Sequence, residues 1–104
     1  MWADALKGHL DVLVLGVLRD GPAHGYAVIE ELRVRSEGAF ELAEGTVYPV
    51  LHRLEADGLL SSSWTTAGGR KRRVYRLTRR GRSALSARER EWRRFAHAVE
   101  AVLA

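Results

Sequence analysis

The side chains that could perform catalysis or bind metals do not form a convincing cluster or motif in this sequence. Cysteine is absent, which excludes a thiol nucleophile, a thiolate metal site and a disulfide. The glycine pair Gly68-Gly69 precedes basic residues but no helix, so it does not form a phosphate-binding loop. The histidines lack the short paired spacings of zinc ligands; they are His9, His24, His52 and His97. We therefore expect no enzymatic activity, no metal and no cofactor.

Basic residues, most of them arginines, are concentrated in one segment of the chain. Residues 70–94 contain twelve of the seventeen Lys and Arg residues and only two acids, a balance of +10, whereas the remaining residues carry −6. Fifteen of the seventeen bases are Arg, whose guanidinium can bind phosphate or guanine through two parallel hydrogen bonds. This distribution favours a polyanionic partner. A solvated helix surface is the alternative interpretation of an arginine run alone.

The length and composition fit one globular domain. A chain of 104 residues with 46% hydrophobic content has enough apolar side chains for a single, thin core. The longest apolar run, residues 12–18, is far shorter than the roughly 20 residues that cross a bilayer, so we expect no membrane partner. The lack of cysteine suits a reducing compartment, and we expect a cytoplasmic protein.

The periodicity of apolar residues predicts three helices in the first half of the chain. The first covers residues 6–18, and the second begins near His24 and ends at residues 36–38. The third carries an apolar stripe from Val47 to Leu54 and ends at Gly58. Its start is open: an N-cap at Thr46 would place Pro49 in the first turn, where proline is tolerated, and a start near Ala43 would require a bend at Pro49.

The second half predicts a β-hairpin and a long helix. Residues 60–64 and 73–77 are rich in strand formers, and alternation turns Tyr75 and Leu77 toward the core. Thr78 is the predicted N-cap of the last helix, and Gly81 is expected to weaken its first turn. The apolar stripe of this helix exceeds what one thin domain can cover, which predicts a homodimer; it comprises Leu85, Trp92, Phe95, Ala96, Val99, Val102 and Leu103.

This order of elements is typical of a winged helix-turn-helix, a mainly α (α+β) fold with a two-stranded β-hairpin wing and a C-terminal dimerisation helix. In that fold the third helix enters the major groove and the wing contacts the backbone. Outward groups of the third helix, Thr46, Tyr48, His52 and Arg53, could contact bases or phosphates. We expect the N-terminal half of this helix to contact DNA, with Glu55 and Asp57 directed away.

Alternative interpretations of these residues also follow from the sequence. Arg53 could form a surface ion pair with Glu30, Glu31 or Asp57, and Tyr48 could be half-buried. The basic hairpin tip, residues 70–73, could be a mobile solvated turn.

Four motifs resemble the PadR-type transcriptional regulators and cover nearly the whole chain. They are Gly21-Pro-Ala-His-Gly-Tyr26, Glu44-Gly-Thr-Val-Tyr-Pro-Val-Leu-His-Arg-Leu-Glu55, Asp57-Gly-Leu-Leu60 and Gly69-Arg-Lys-Arg-Arg-Val-Tyr-Arg-Leu-Thr78. The resemblance implies a cytoplasmic homodimer with a DNA-binding domain in residues 1–78 and a single dimerisation helix in residues 79–104. It also implies a repressor that a small molecule or another signal releases from its operator.

The resemblance also implies site residues. Its DNA contacts fall on Tyr26, Thr46, Tyr48, Pro49, His52, Arg53, Arg70, Lys71, Arg72 and Arg73. Its dimer interface, formed by the first and last helices, falls on Leu10, Val14, Trp92, Phe95, Val99, Val102 and Leu103. Two positions depart from the family pattern: Ala43 stands where many members have a Ser or Asn cap, and Val74 replaces a frequent aromatic residue.

Trp92 occupies the position at which some multidrug-binding members stack flat aromatic ligands between subunits. One hypothesis is therefore a small aromatic effector at Trp92, and the alternative is a plain interface tryptophan. Taken together, the sequence predicts a homodimeric, sequence-specific repressor of PadR type that binds a pseudo-palindromic operator in double-stranded DNA. The alternatives are a winged-helix module that binds an acidic protein and an RNA or non-specific nucleic-acid binder.

Overall fold

A computed structural model describes the main chain of residues 3–104 and the side chains from residue 4 onward. It confirms the mainly α (α+β) winged-helix architecture. The elements are α1 (Ala3–Lys7), α2 (Leu10–Leu18), β1 (Ala23–His24), α3 (Gly25–Arg35), α4 (Glu44–Ala56), β2 (Leu60–Ala67), β3 (Arg70–Leu77) and α5 (Arg79–Leu103). The two strands of the hairpin are joined by a third, so the antiparallel sheet has the order β1-β3-β2.

The first predicted helix is divided in two. Gly8 and His9 separate α1 from α2, and the His9 backbone, at φ −126° and ψ −7°, lies outside the helical region. Glycine is among the poorest helix formers, which explains why the break falls here although the apolar period continues across it. The prediction of one continuous helix over residues 6–18 is therefore wrong.

The turn before α3 holds a strand that the sequence did not reveal. Ala23 pairs with Tyr75 and His24 pairs with Val74, which adds β1 to the exposed edge of β3. Two residues are too few for an alternation pattern, so only pairing with a distant strand identifies them. His24 also caps α3, because its Nδ1 accepts a hydrogen bond from the Ala27 amide at 3.2 Å.

The earlier of the two predicted starts of α4 is correct. Ala43 is the N-cap residue and offers no side-chain acceptor, and Thr46 lies inside the first turn instead of capping it. Pro49 is consequently in the interior of the helix, where it cannot donate to the carbonyl of Gly45. The opposite end is as predicted: Gly58 has a φ of +79°, and the Leu59 amide donates to the Leu54 carbonyl at 2.9 Å.

The core lies between α2, α3, α4 and the inner face of the sheet. Tyr75 and Leu77 point inward, as the strand alternation predicts. Leu10 and Val14, which the resemblance assigned to the dimer interface, are also core residues, with 7% and 0% of their surface exposed. This assignment is corrected, because side chains already covered by their own chain have no surface left for a partner.

The hairpin is longer than predicted and ends in a two-residue turn. β2 pairs with β3 from Leu60 opposite Leu77 to Ala67 opposite Arg70. The connecting glycines, Gly68 and Gly69, have φ values of +58° and +76°. Positive φ at both central positions is the requirement of the hairpin turn whose twist matches the strands, which explains the glycine pair.

The start of α5 lies in close contact with the end of α4. The Thr78 hydroxyl accepts from the Gly81 amide at 3.0 Å and donates to the Gly58 carbonyl at 2.7 Å, which confirms Thr78 as the N-cap. A Cβ atom at position 81 would lie 2.0 Å from the Leu59 carbonyl oxygen. Gly81 is therefore the residue that permits this close approach, and not a weak point of the helix. The atom that a Cβ would meet belongs to the backbone, so it cannot move aside as the end of a flexible side chain could.

We predict that Gly81→Ala lowers the free energy of unfolding by about 1–3 kcal/mol or more, since the methyl group overlaps backbone atoms. Urea denaturation followed by circular dichroism measures this change. Gly45→Ala is the matched control, because a Cβ there meets no atom within 4 Å and alanine favours the helix by about 0.5–1 kcal/mol. Equal stability of the Gly81→Ala variant and the wild type would contradict the contact.

Candidate nucleic-acid interface

Helix α4 presents one apolar and one polar face. Val47, Val50, Leu51 and Leu54 are buried in the core, which leaves the opposite side of the helix exposed. Thr46, Pro49, His52 and Arg53 all lie on that exposed side. The face therefore offers a hydroxyl, an imidazole and a guanidinium, groups that can contact base edges and phosphates.

Three aromatic rings form a row beside this face. The centroid of Tyr48 lies 6.0 Å from that of Tyr26 and 6.3 Å from that of His52. Tyr26 is exposed, whereas Tyr48 is half-buried over Gly25, where a Cβ atom would lie 2.5 Å from the ring. Burial raises the pKa of the Tyr48 phenol further above neutral pH. Its hydroxyl is therefore protonated and can donate a hydrogen bond.

Arg53 forms an ion pair, but not with the predicted partners. Its guanidinium bonds to Asp11 of α2, while Glu30 and Glu31 bond to arginines of their own helix. About half of the Arg53 side chain, 54%, remains exposed. The guanidinium is therefore both anchored and accessible from solvent.

The wing, defined as the β2–β3 hairpin from Trp64 to Arg73, carries cations at its tip that have no ion-pair partner among residues 4–104. Arg70 and Lys71 form no ion pair and no side-chain hydrogen bond among residues 4–104. Arg72 lies next to them, with Nη1 2.8 Å from Nε2 of His24. Since a neutral imidazole has one unprotonated nitrogen, His24 can accept from Arg72 or from the Ala27 amide, but not from both at once.

Arg73 differs from the other three basic residues of the wing. Its guanidinium bonds to Glu55 at 3.0 Å and to the Ser62 hydroxyl at 2.8 Å, and it lies 5.8 Å from the Trp64 ring centroid. These contacts join the base of the wing to the C-terminal turn of α4. Arg73 is therefore held by its own chain at the base of the wing, whereas the exposed Arg70 and Lys71 make no such contact with residues 4–104.

Sequence reasoning missed three residues near this face, namely Asp11, His24 and Trp64. Trp64 is 65% exposed and is directly opposite Arg73 in the strand register, which the alternation of the hairpin could have indicated. Asp11 and Arg53 are 42 positions apart, and no local pattern links them. His24 links the start of α3 to Arg72 of β3, which is 48 positions away.

A second surface lies on α5, away from the wing. Trp92, Phe95 and Val99 are exposed, and Val102 and Leu103 have 84% and 79% of their surface exposed. Beside them, an apolar groove of about 520 Å³ runs between α2 and α5, with the His9 ring 5.0 Å from the Trp92 ring. The predicted interface residues of α5 therefore share one accessible apolar face.

The part of the chain that the structure describes contains neither a candidate metal site nor a candidate membrane-spanning helix. No group of three or more potential ligands lies close enough together to hold a metal ion among the described residues. Across the same residues, no helix combines the length and apolar character needed to cross a bilayer.

Comparison with known proteins gives consistent matches. Residues 14–87 match the family described as "Transcriptional regulator PadR-like family". "Transcriptional regulator Rv3488" of Mycobacterium tuberculosis is 49% identical over 67 residues, 64% of this chain and 60% of that protein. A PadR family transcriptional regulator from Eggerthella lenta superimposes with a TM-score of 0.84 at 35% identity, over 99% of this chain and 88% of that one. Bacillus subtilis PadR in complex with operator DNA superimposes with a TM-score of 0.70 at 25% identity, over 76% of this chain and 45% of that one.

We predict that Glu55→Gln loosens the base of the wing, because the variant loses the charge that holds Arg73. The pair is partly exposed, so amide exchange in β2 and β3 should accelerate by at most about five-fold. Hydrogen exchange followed by mass spectrometry measures this. Glu30→Gln, which breaks an ion pair within α3, is the control and should leave the wing unchanged. Equal acceleration in both variants would show that the effect is not local.

Proposed function

The chain belongs to the PadR-like family of transcriptional regulators, and from that membership we propose that it is a homodimeric, sequence-specific DNA-binding repressor. The family consists of regulators and not of enzymes. The observation that carries the proposal is the combination of an exposed polar face on α4 with two cations at the wing tip, Arg70 and Lys71, that have no partner among the described side chains. A module that only binds proteins has no evident use for such a tip.

The proposal divides the DNA contacts into two groups. Arg70, Lys71 and Arg72 extend from the wing and would bind phosphates, which gives affinity without sequence preference. Tyr26, Thr46, Tyr48 and Pro49 would position the start of α4 on the duplex, where the helix dipole favours phosphate. His52 and Arg53 would contact base edges in the major groove. Arg73 would brace the wing and contribute less to phosphate binding than its neighbours.

Dimerisation would use the exposed apolar face of α5. In this arrangement residues 1–78 bind DNA and residues 79–104 join two protomers, with the α5 face of one chain covering the groove of the other. Exposed Val102 and Leu103 support this, since a monomer would leave them in water. A two-fold axis would then set the two α4 helices about one DNA turn apart, on a pseudo-palindromic operator.

Release of the operator would follow from binding of a small aromatic effector at Trp92. The Trp92 ring borders the groove, whose lining is mostly apolar but includes Arg19, paired with Glu89, and Arg35, paired with Asp20 and Glu31. A planar aromatic molecule would stack on the ring, and a carboxylate on it would compete with those acids for the two guanidinium groups. Such a regulator acts where the chromosome lies, and we place it in the cytoplasm.

Selection of bound sequences from a random duplex library, with the mass of the protein measured in solution, tests the central proposal. We expect a two-fold symmetric motif and a dimer. Six to ten phosphate contacts should lower the affinity roughly 10³- to 10⁵-fold between 50 and 200 mM salt. Binding without enrichment would favour a non-specific nucleic-acid binder, and no binding by a folded dimer would favour a protein-interaction module.

Single substitutions test the division between phosphate and base contacts. Arg72→Ala should weaken binding to all sequences alike, whereas His52→Ala should relax the preference at single base pairs by about 1–3 kcal/mol. Competition binding with single-base-pair variants of the selected site measures both effects. Identical behaviour of the two variants would contradict the division.

Val99→Glu tests the dimer interface. A carboxylate in the centre of the apolar α5 face should convert the dimer into a monomer, because a buried, unpaired charge is strongly unfavourable. Sedimentation equilibrium measures the change. Ala101→Glu is the matched control: it adds the same charge two residues, or about 200°, around the helix. A dimer that survives Val99→Glu would require a different interface.

Titration of tryptophan fluorescence with planar aromatic carboxylates tests the effector. We expect quenching in the wild type and its loss in Trp92→Phe, because the quenched ring is then absent. Quenching that persists in the variant would place the ligand at another tryptophan. No quenching up to the solubility limit would contradict an effector at Trp92, and the partner chain would then be the proposed occupant of the groove.

A further inference from the structure

One carboxylate connects the DNA-facing helix to the long C-terminal helix. The Asp11 side chain bonds to Arg53 of α4 through Oδ1 and lies 3.5 Å from the Arg88 guanidinium of α5 through Oδ2. Asp11 is in the first turn of α2, where the helix dipole stabilises a negative charge. Neither Arg53 nor Arg88 pairs with another acid among the described residues.

This contact limits what Arg53 can do. A free arginine side chain has many rotamers, and ordering it when DNA binds costs conformational entropy. Asp11 engages a single terminal nitrogen, Nη2, so Nε and Nη1 retain their N–H groups for a second partner. The guanidinium is therefore ordered before any DNA arrives, and it still offers donors from the exposed side of α4.

The charge of Asp11 has a second effect at this surface. A carboxylate beside Arg53 repels phosphate, so it weakens the simplest alternative contact of this arginine. Arg88 offsets part of that repulsion, and both basic residues together with Asp11 leave one positive charge. The arrangement thus disfavours a backbone contact more than a contact to the neutral edge of a base.

We propose that Asp11 is a specificity-determining positioning residue, which holds Arg53 for a base edge in the major groove and withholds it from phosphate. The inference rests on the proposed DNA-binding function and deepens it. In this arrangement Arg53 contributes sequence preference because of Asp11, and Arg88 keeps the Asp11 carboxylate in place from α5.

Asp11→Asn tests the inference by removing the charge and keeping the shape. At the base pair that Arg53 contacts, discrimination against the other base pairs should fall by about 5- to 100-fold. Affinity for random DNA should rise, and the dependence of log K on log salt should steepen by about 0.9 per protomer as Arg53 moves to phosphate. Competition binding at several salt concentrations measures both quantities.

Three further variants separate positioning from charge and from folding. Asp20→Asn is the matched control, because it removes an Asp–Arg pair of the same kind, with Arg35, away from α4. Asp11→Glu keeps the charge but shifts the guanidinium, and it should lower discrimination with a smaller change in salt dependence. In an Arg53→Gln background, Asp11→Asn should have no further effect at that base pair.

Each outcome decides the inference. Loss of discrimination at the same base pair in Asp11→Asn and Arg53→Gln, without additivity, supports it. A folded Asp11→Asn protein with wild-type discrimination overturns it, as does an equal loss in Asp20→Asn. If Asp11→Asn does not fold, unchanged discrimination in Asp11→Glu overturns it. A wild type without sequence preference overturns the proposed function itself, and the inference with it.

Discussion

The structure depends on a backbone contact between the end of α4 and the start of α5. Gly81 approaches the Leu59 carbonyl so closely that no side chain fits, and the Thr78 amide donates to the same carbonyl at 3.1 Å. The Thr78 hydroxyl adds a bond to the Gly58 carbonyl. The two contacts to the Leu59 carbonyl involve backbone groups, so they do not depend on the rotamer of any side chain. They join the start of α5, the helix with the exposed apolar face, directly to the end of α4.

Charge pairs around α4 determine position more than stability. Glu55 with Arg73 and Asp11 with Arg53 are partly exposed pairs, each worth at most about 1 kcal/mol. Each nevertheless neutralises an acid that would repel DNA, and each orders an arginine. The cations left without partners among the described side chains include those at the wing tip, where attraction to a phosphate backbone does not depend on sequence.

Features set by local residues could be predicted from the sequence, and features set by distant contacts could not. The Thr78 cap, the positive φ of Gly58 and the inward direction of Tyr75 each follow from the residue and its near neighbours. The start of α4 at Ala43 has no capping side chain to mark it, and the role of Gly81 depends on an atom 22 positions earlier. Among the candidate site residues, exposure of His52 follows from the helical period, but the pairing of Arg53 with Asp11 does not.

Helix α2 connects the two surfaces of the molecule. One of its faces is buried in the core through Val14, another lines the groove through Val12 and Leu13, and Asp11 at its start contacts both α4 and α5. Residues of α1, α2, α3 and α5 line the groove and none of α4 does, so an occupant, whether a partner chain or a small molecule, would contact those four helices. Two contacts join the groove-lining helices α2 and α5 to α4: the backbone approach of Gly81 to the Leu59 carbonyl at the start of α5, and the hydrogen bond that Arg53 donates to Asp11 of α2.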